Sequence, residues 1–418
     1  MYKKAHLLSV LVMISLFAGC ASIPGSSVPD NINPVVAQKE ISEDRLLNCY
    51  IKIFNPGKLT DDPEKKKGLS PEIRKAESRF MPIHLKYTMQ KSGYWGMVRV
   101  VPDDDTGTDL IVKGRIEYSD SETTSITIEV VDARNVIWFK KTYRKTVTPK
   151  AYNNTEIEKK DAFQDLYNAI ANDLADYRNH LDPGEIKRIK EVAEIRYAAE
   201  MAPDAFKDYL SKDSDGIYHL VHLPARNDPM FKRVVAIKSR DDMMIDIING
   251  YYDNYYRGLW QPYNDWRKAR IKELVVMHKI ERQALTREAL GIASIIGAIV
   301  LSLTGSNDLA ARTSTLRNVM IMGGAAAVYS GYQKKKETEL NKAAIEELGN
   351  SFSSEAKPLV MEVKGQTIRL TGSAEQQYRH WRQILKQIYA KETKIPVENS
   401  SSKTVPNPSD IDKQPIQR

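Results

Sequence analysis

Beyond the first twenty residues the chain has six histidines: His84, His180, His219, His222, His278 and His380. Only His219 and His222 are close together, and in an extended segment a three-residue offset places them on opposite faces. No third ligand stands near them, so no metal centre is expected. Asp103-Asp104-Asp105 reads as an acidic turn between strands rather than a cation loop. There is no His-Glu-x-x-His, no Gly-x-Ser-x-Gly elbow and no phosphate-binding loop. Catalysis would therefore fall to carboxylates such as Glu194, Glu200 or Asp253, and cleavage of a glycosidic bond needs two of them at a set separation. Binding chemistry is denser. Tyr251, Tyr252, Tyr255, Tyr256, Trp260, Tyr263 and Trp266 fall within sixteen positions. Tyr252, Tyr255 and Leu259 fit a packing stripe, in a core or a subunit interface, whose hydroxyls reach the edge. The other reading is a set of ring faces for stacking on peptidoglycan or exported polysaccharide. The sequence assigns no catalytic residue, no cofactor and no metal.

The elements that would position these residues begin with MYKKAHLLSVLVMISLFAGC. Lys3 and Lys4 form a basic lead, residues 7–17 an apolar run, and Ala18-Gly19-Cys20 a small-residue exit. This is a secretory leader over residues 1–19, too short to span a bilayer as a finished helix. Phe17-Ala18-Gly19-Cys20 resembles the lipobox of bacterial lipoproteins, with Phe17 where leucine is usual. The resemblance implies lipidation at Cys20 by a diacylglycerol and a further acyl chain. Two or three chains hold a protein on a membrane essentially for good. Ala21 and Ser22 replace the aspartate that commonly retains such proteins on the inner membrane. The resemblance thus implies an outer-membrane lipoprotein of a Gram-negative envelope, at the periplasmic face.

Length allows two or three domains with real cores. Apolar and charged fractions of 42% and 28% are those of a globular chain. The formal charge is +8, two of which belong to Lys3 and Lys4. Basic and acidic residues are interspersed, so no nucleic-acid partner is expected; mild attraction to anionic headgroups is the most this supports. The only other cysteine, Cys49, shares a strand face with Leu47, Ile51 and Ile53. It reads as a buried thiol, with intermolecular pairing as the minority reading.

An α+β fold is expected. Residues 20–40 read as a flexible tether. A two-layer α/β domain over 41–180 follows: a strand at 47–54 and a helix opened by Ser70-Pro71-Glu72 and stopped by Gly93. After them come a strand at 97–101, an antiparallel meander at 110–119, 123–132 and 136–147, and a helix at 159–180. This order and the phrase Asp109-Leu110-Ile111-Val112-Lys113-Gly114-Arg115-Ile116 resemble small mixed domains of envelope lipoproteins and assembly factors, such as those of curli secretion and the Tol system. Residues 181–288 read as wholly helical, opened by a capping box at Asp182-Pro183-Gly184-Glu185 and broken or bent at Pro262.

Residues 289–333 form two uncharged or nearly uncharged arms around Gly305-Ser306-Asn307-Asp308. Ala293 and Gly297, then Gly323, Ala327 and Gly331, are small residues four apart, which lets helices approach closely. They resemble glycine-zipper segments of envelope proteins. A hairpin buried in the helical region and a membrane-inserted or oligomeric hairpin both fit. Residues 334–392 read as a polar helix plus a ββα unit. The phrase Val363-Lys364-Gly365-Gln366-Thr367-Ile368-Arg369-Leu370-Thr371-Gly372 resembles the strand pair of BON domains, which associate with membranes and envelope partners. Residues 393–418 read as a disordered tail.

Together these features describe a non-catalytic, lipid-anchored scaffold or assembly component with envelope proteins, a second copy or peptidoglycan as partners. The alternatives are a hydrolase of wall glycan and an oligomeric secretion-type lipoprotein.

Overall fold

The computed structural model describes residues 25–59, 69–102, 107–154, 160–302, 342–350, 359–363 and 366–393. The expected leader, Cys20, Gly323, Ala327, Gly331 and the expected tail beyond 393 lie outside the described residues. The chain is an α+β protein built on a six-stranded mixed sheet. Its strands are β1 (Ser26–Ser27), β2 (Leu47–Lys52), β3 (Trp95–Val101), β4 (Leu110–Ser119), β5 (Thr123–Asp132) and β6 (Ile137–Thr146), in the order β1-β6-β5-β4-β2-β3. The meander β4–β5–β6 is antiparallel. Its turns are polar because the chain reverses there. Asp120 accepts the Glu122 and Thr123 amides, and Asp132 accepts those of Arg134 and Val136. β2 lies parallel to both β3 and β4.

Parallel neighbours need a crossover, and α1 (Pro71–Ser92) provides it between β2 and β3. Ser70 caps its start by accepting the Glu72 and Ile73 amides, and Gly93 ends it at φ +70°. α2 (Gln164–His180) lies beside α1 with Leu166, Ile170 and Leu174 fully buried. Leu47, Cys49, Ile51, Leu110, Val112, Ile126, Ile128 and Val130 form the sheet face beneath these helices. Gly114 on β4 leaves room for Phe54, whose ring would lie 2.3 Å from an added Cβ.

Residues 20–40 were expected to be a tether, but from Gly25 onward the chain is strapped to the domain. β1 pairs parallel with the outer edge of β6, and Val28 is buried. The Lys145 ammonium, 3% exposed, donates to the Val28 and Pro29 carbonyls and to Asp30. Three side chains of α2 hold the next stretch: Asp165 accepts the Asn31 amide, Asn168 donates to the Ile32 carbonyl, and Asn172 accepts from Val35 while donating to Asn33. Ala37 then donates to the Ser92 carbonyl at the end of α1.

The region after 181 is not wholly helical. α3 (Pro183–Met201) opens with the expected capping box between Asp182 and Glu185. A single turn at Pro203–Phe206 and a hairpin of β7 (Leu210–Lys212) and β8 (Tyr218–Leu220) follow. α4 (Pro229–Ser302) then runs for 74 residues without a break at Pro262, where a break or a bend was expected. Proline inside a helix costs about 3 kcal/mol. Here Leu259, Trp260 and Tyr263 are all at or below 1% exposure, and burial contributes roughly 1.5–3 kcal/mol for each large apolar side chain. Packing therefore outweighs the local penalty.

The same helix carries Ala293 and Gly297 as far as Ser302; the turn and second arm of the expected hairpin lie outside the described residues. No helix among the described residues is long and apolar enough to cross a membrane. Beyond them, β9 (Leu359–Val363) and β10 (Gln366–Leu370) pair antiparallel and lead into α5 (Ala374–Thr393), giving the expected ββα order. Tyr378, Trp381, Leu385 and Tyr389 of α5 join a buried cluster that also contains Leu47, Leu174 and Trp260.

Candidate functional site

The aromatic residues that suggested sugar stacking are placed almost entirely inside. Tyr252, Tyr255, Tyr256, Trp260 and Trp266 are buried, and Tyr251 is half-buried against the same core. Their ring faces are occupied. Phe80 of α1 stacks on Tyr256 at 4.8 Å and meets Tyr263 edge-on at 4.9 Å. The Arg267 guanidinium lies 4.3 Å over Tyr263. Burial and the Glu77 carboxylate push the Tyr263 phenol well above its ordinary value. The cluster is the seam by which α4 docks on α1. Of the two readings, glycan contact is corrected to core for the five buried rings, because a stacked or edge-packed face has no room for a sugar.

His84 lies in that seam. Gln164 donates its amide to Thr88 and Asn168, so its Oε1 must accept from His84 Nε2 at 2.9 Å. Nδ1 then accepts the Tyr256 hydroxyl at 2.7 Å. Both nitrogens are satisfied by a neutral ring, and burial lowers the imidazole's affinity for a second proton.

Two of the three carboxylates considered for hydrolysis are held by cations. Asp253 accepts from Lys86 and from Tyr87, whose phenol is pushed up to about 12 by burial and by that carboxylate. Glu200 accepts from Arg382 at 2.7 Å and lies 3.1 Å from Lys386. His219 bonds Asp213 at 2.7 Å, whereas His222 packs on Tyr209, so the pair does not converge. Among the described residues no group of three His, Cys, Asp or Glu side chains could hold a metal.

Glu194 is different, because it lines a cleft of about 190 Å³ between β2, β3, α3 and α4. Strand alternation builds its floor. Asn48 and Tyr50 point away from the core face that takes Leu47, Cys49 and Ile51, and Arg99 stands beside them on β3. Helical spacing builds its walls, with Lys190, Glu194 and Tyr197 on α3 and Val234, Lys238 and Asp242 on α4. Asp109 closes one end. It is 5% exposed and accepts the Asn48 amide at 2.7 Å. Burial pushes its carboxyl up to about 6, against the pull of that amide and of Lys190, with Glu194 adding to the rise. Glu194 is exposed at the mouth, and the protein around it raises its carboxyl as well.

The cations in this cleft are already engaged. Arg99 forks onto Asp246 at 2.7 and 2.9 Å and reaches Asp242 at 3.1 Å. Lys238 bonds Asp242 at 2.8 Å, and Lys190 donates to the carbonyls of Glu43, Asp44 and Leu46. Asp109 and Glu194 form no ion pair among the described residues. The spare charge in the cleft is therefore negative. It can receive a compact positive group, or pass a proton between two acids of raised affinity. Cys49 sits on the opposite face of β2, where burial pushes its thiol up and keeps it unreactive.

Sequence reasoning reached Glu194 but not Asp109, Arg99, Lys238 or Asp242, which come from three other segments of the chain. The chain matches no family model, no curated protein and no solved structure.

Proposed function

We propose that this chain is a lipid-anchored envelope protein that works by binding. In this reading Cys20 carries the acyl chains at the periplasmic face of the outer membrane. The folded body offers its charged cleft to an envelope partner. The observation that carries the reading is the strap. From Gly25 the backbone is fixed to β6 and α2, so only residues 21–24 separate the lipidated cysteine from the folded body. A body held so short suits a scaffold or assembly component.

The cleft supports the same reading. Its volume is about 190 Å³, below the roughly 300–1,000 Å³ of usual small-molecule sites, and it fits one protonated amine of a larger partner. A lysine side chain of an envelope protein or an amino group of a wall peptide has that chemistry. Photo-crosslinking from Val235, on the cleft wall, tests it in the acylated protein. Glu194→Lys should abolish the crosslink while leaving membrane fractionation unchanged. A crosslink that persists undiminished would overturn the cleft as the docking point.

Hydrolysis of wall glycan is the second reading, favoured by one observation: Asp109 and Glu194 face a single cleft, and the first holds its proton near pH 6. Release of reducing sugar from purified wall glycan, lost in Asp109→Asn, would establish it. Absence of release from the unaltered protein would remove it.

A further inference from the structure

The sheet has a second face, and its two halves differ. Over β2 and β3 it is covered by α3 and α4, which wall the cleft above Tyr50 and Arg99, and Arg99 pairs there with Asp242 and Asp246. At the rows of Lys113 and Arg115 on β4, β5 and β6 no described element covers it, whereas Ser125, beside Gly25, is fully buried. Register sets the side chains there in rows: Lys113, Glu129 and Lys140 in one, and Arg115, Thr127 and Thr142 in the next. Lys140 is 65% exposed and Arg115 55%. The carboxylates are engaged sideways, Glu129 by Lys140 and Lys113, and Glu117 by Arg115 and the Thr127 hydroxyl. In these rows three cations, Lys113, Arg115 and Lys140, stand against two carboxylates, so this part of the face is basic.

The chain arrives on this same face. Gly25 lies at φ +116°, and a Cβ built there would meet Thr142 Cγ2 at 3.0 Å, Arg144 Cβ at 3.2 Å and Ser125 Oγ at 3.3 Å. All three belong to the second face by their register. From Gly25 the strap turns around the β6 edge toward α2, away from that face. Cys20 is five residues earlier, and five residues reach at most about 18 Å in any conformation.

We infer that the open face of β4–β5–β6 lies against the membrane that holds Cys20, with Lys113, Arg115 and Lys140 meeting phospholipid phosphates. The inference rests on the anchoring reading above and deepens it by fixing which side of the body faces the lipid. Two independent features agree on it. The short reach brings this face within range of the bilayer, and the sign of its charge matches headgroup phosphate. The opposite side of the domain, the outer surface of α2, is placed toward the aqueous space.

The test uses the mature acylated protein in vesicles of phosphatidylethanolamine and phosphatidylglycerol containing a headgroup-linked quencher lipid. Cys20 is blocked by its lipid and Cys49 is buried, so one introduced cysteine takes the fluorophore. A label at Thr127→Cys should be quenched severalfold more than one at Asp176→Cys, which is exposed on α2. Thr142→Cys repeats the reading should the first label disturb the sheet. Lys113→Glu, Arg115→Glu and Lys140→Glu together should bring the ratio toward one, with the acyl mass unchanged. An equal or inverted ratio in protein of acylated mass overturns the orientation alone. The same holds for a ratio that does not change when phosphatidylcholine replaces the anionic lipid. A mass without the acyl adduct overturns the anchoring reading and this inference with it.

Discussion

Arg267 and Asp161 meet inside the protein, both side chains at or below 3% exposure, with Nη1 lying 3.3 Å from Oδ1 and Nη2 bonded to Oδ2. Burial alone would push the Asp161 carboxyl up, but the guanidinium beside it holds it below the usual range. The pair's contribution is therefore present above about pH 4 and is lost as pH falls through the folded value. Removing one partner leaves a buried charge uncompensated, at a cost of roughly 3–5 kcal/mol. Urea unfolding of Arg267→Met at pH 7 should show that loss. Arg267→Met with Asp161→Asn should recover a large part of it. Equal stability of the single and double variants would mean the two charges are not coupled.

His84 gives a second dependence on pH. Its folded affinity for a proton is lowered by burial, while the unfolded imidazole titrates near 6.5. The unfolded state therefore binds the extra proton first, and stability falls as pH drops below about 6.5, by up to about 1.4 kcal/mol per unit. His84→Gln, which keeps a donor and an acceptor, should flatten unfolding free energy between pH 5 and 7. A slope as steep as in the unaltered protein would assign the dependence elsewhere.

Asp109 acts in the opposite sense. Its folded carboxyl is raised to about 6 against about 3.9 when unfolded, so the folded state binds its proton more tightly. Stability from this group is present below about pH 4 and declines as pH rises through 6. Asp109→Asn keeps the acceptor for the Asn48 amide and should gain on the unaltered chain by roughly 2–3 kcal/mol between pH 3.5 and 7. A constant difference across that range would contradict a raised carboxyl.

Some of this was legible in the sequence because the information is local. Ser70, Gly93 and the Asp182–Glu185 box mark helix ends through bonds spanning only a few residues. Alternation in β4 and β5 shows which side chains share a face. The strap was hidden because its partners, Asp165, Asn168 and Asn172, lie more than 130 residues away and leave no periodicity in residues 25–37. Pro262 does not break α4 because the local penalty lost to burial of Trp260 and Tyr263 on either side. The cleft was hidden for the strap's reason: Asp109, Glu194 and Asp242 meet only in the fold.

Lys145 decides whether the strap is fixed. Its ammonium is buried among the Val28 and Pro29 carbonyls, Asp30 and Asp165. Lys145→Met removes the one ammonium that ties the Val28 and Pro29 carbonyls to Asp165, and a hydrogen bond to a charged group contributes about 1.5–3 kcal/mol. Hydrogen exchange at the Asn31 and Val35 amides should quicken by at least tenfold, and protease should cut between residues 25 and 38. Unchanged exchange at both amides would show that β1 pairing alone holds the segment.

Acylation is the claim on which the proposed function stands, and intact mass of the mature protein reads it most directly. The account predicts a chain beginning at Cys20 with diacylglyceryl and acyl mass added, recovered with membranes, and a Cys20→Ser chain that is neither acylated nor sedimented with them. A mature chain of unmodified mass that still sediments with membranes after Cys20→Ser would contradict it.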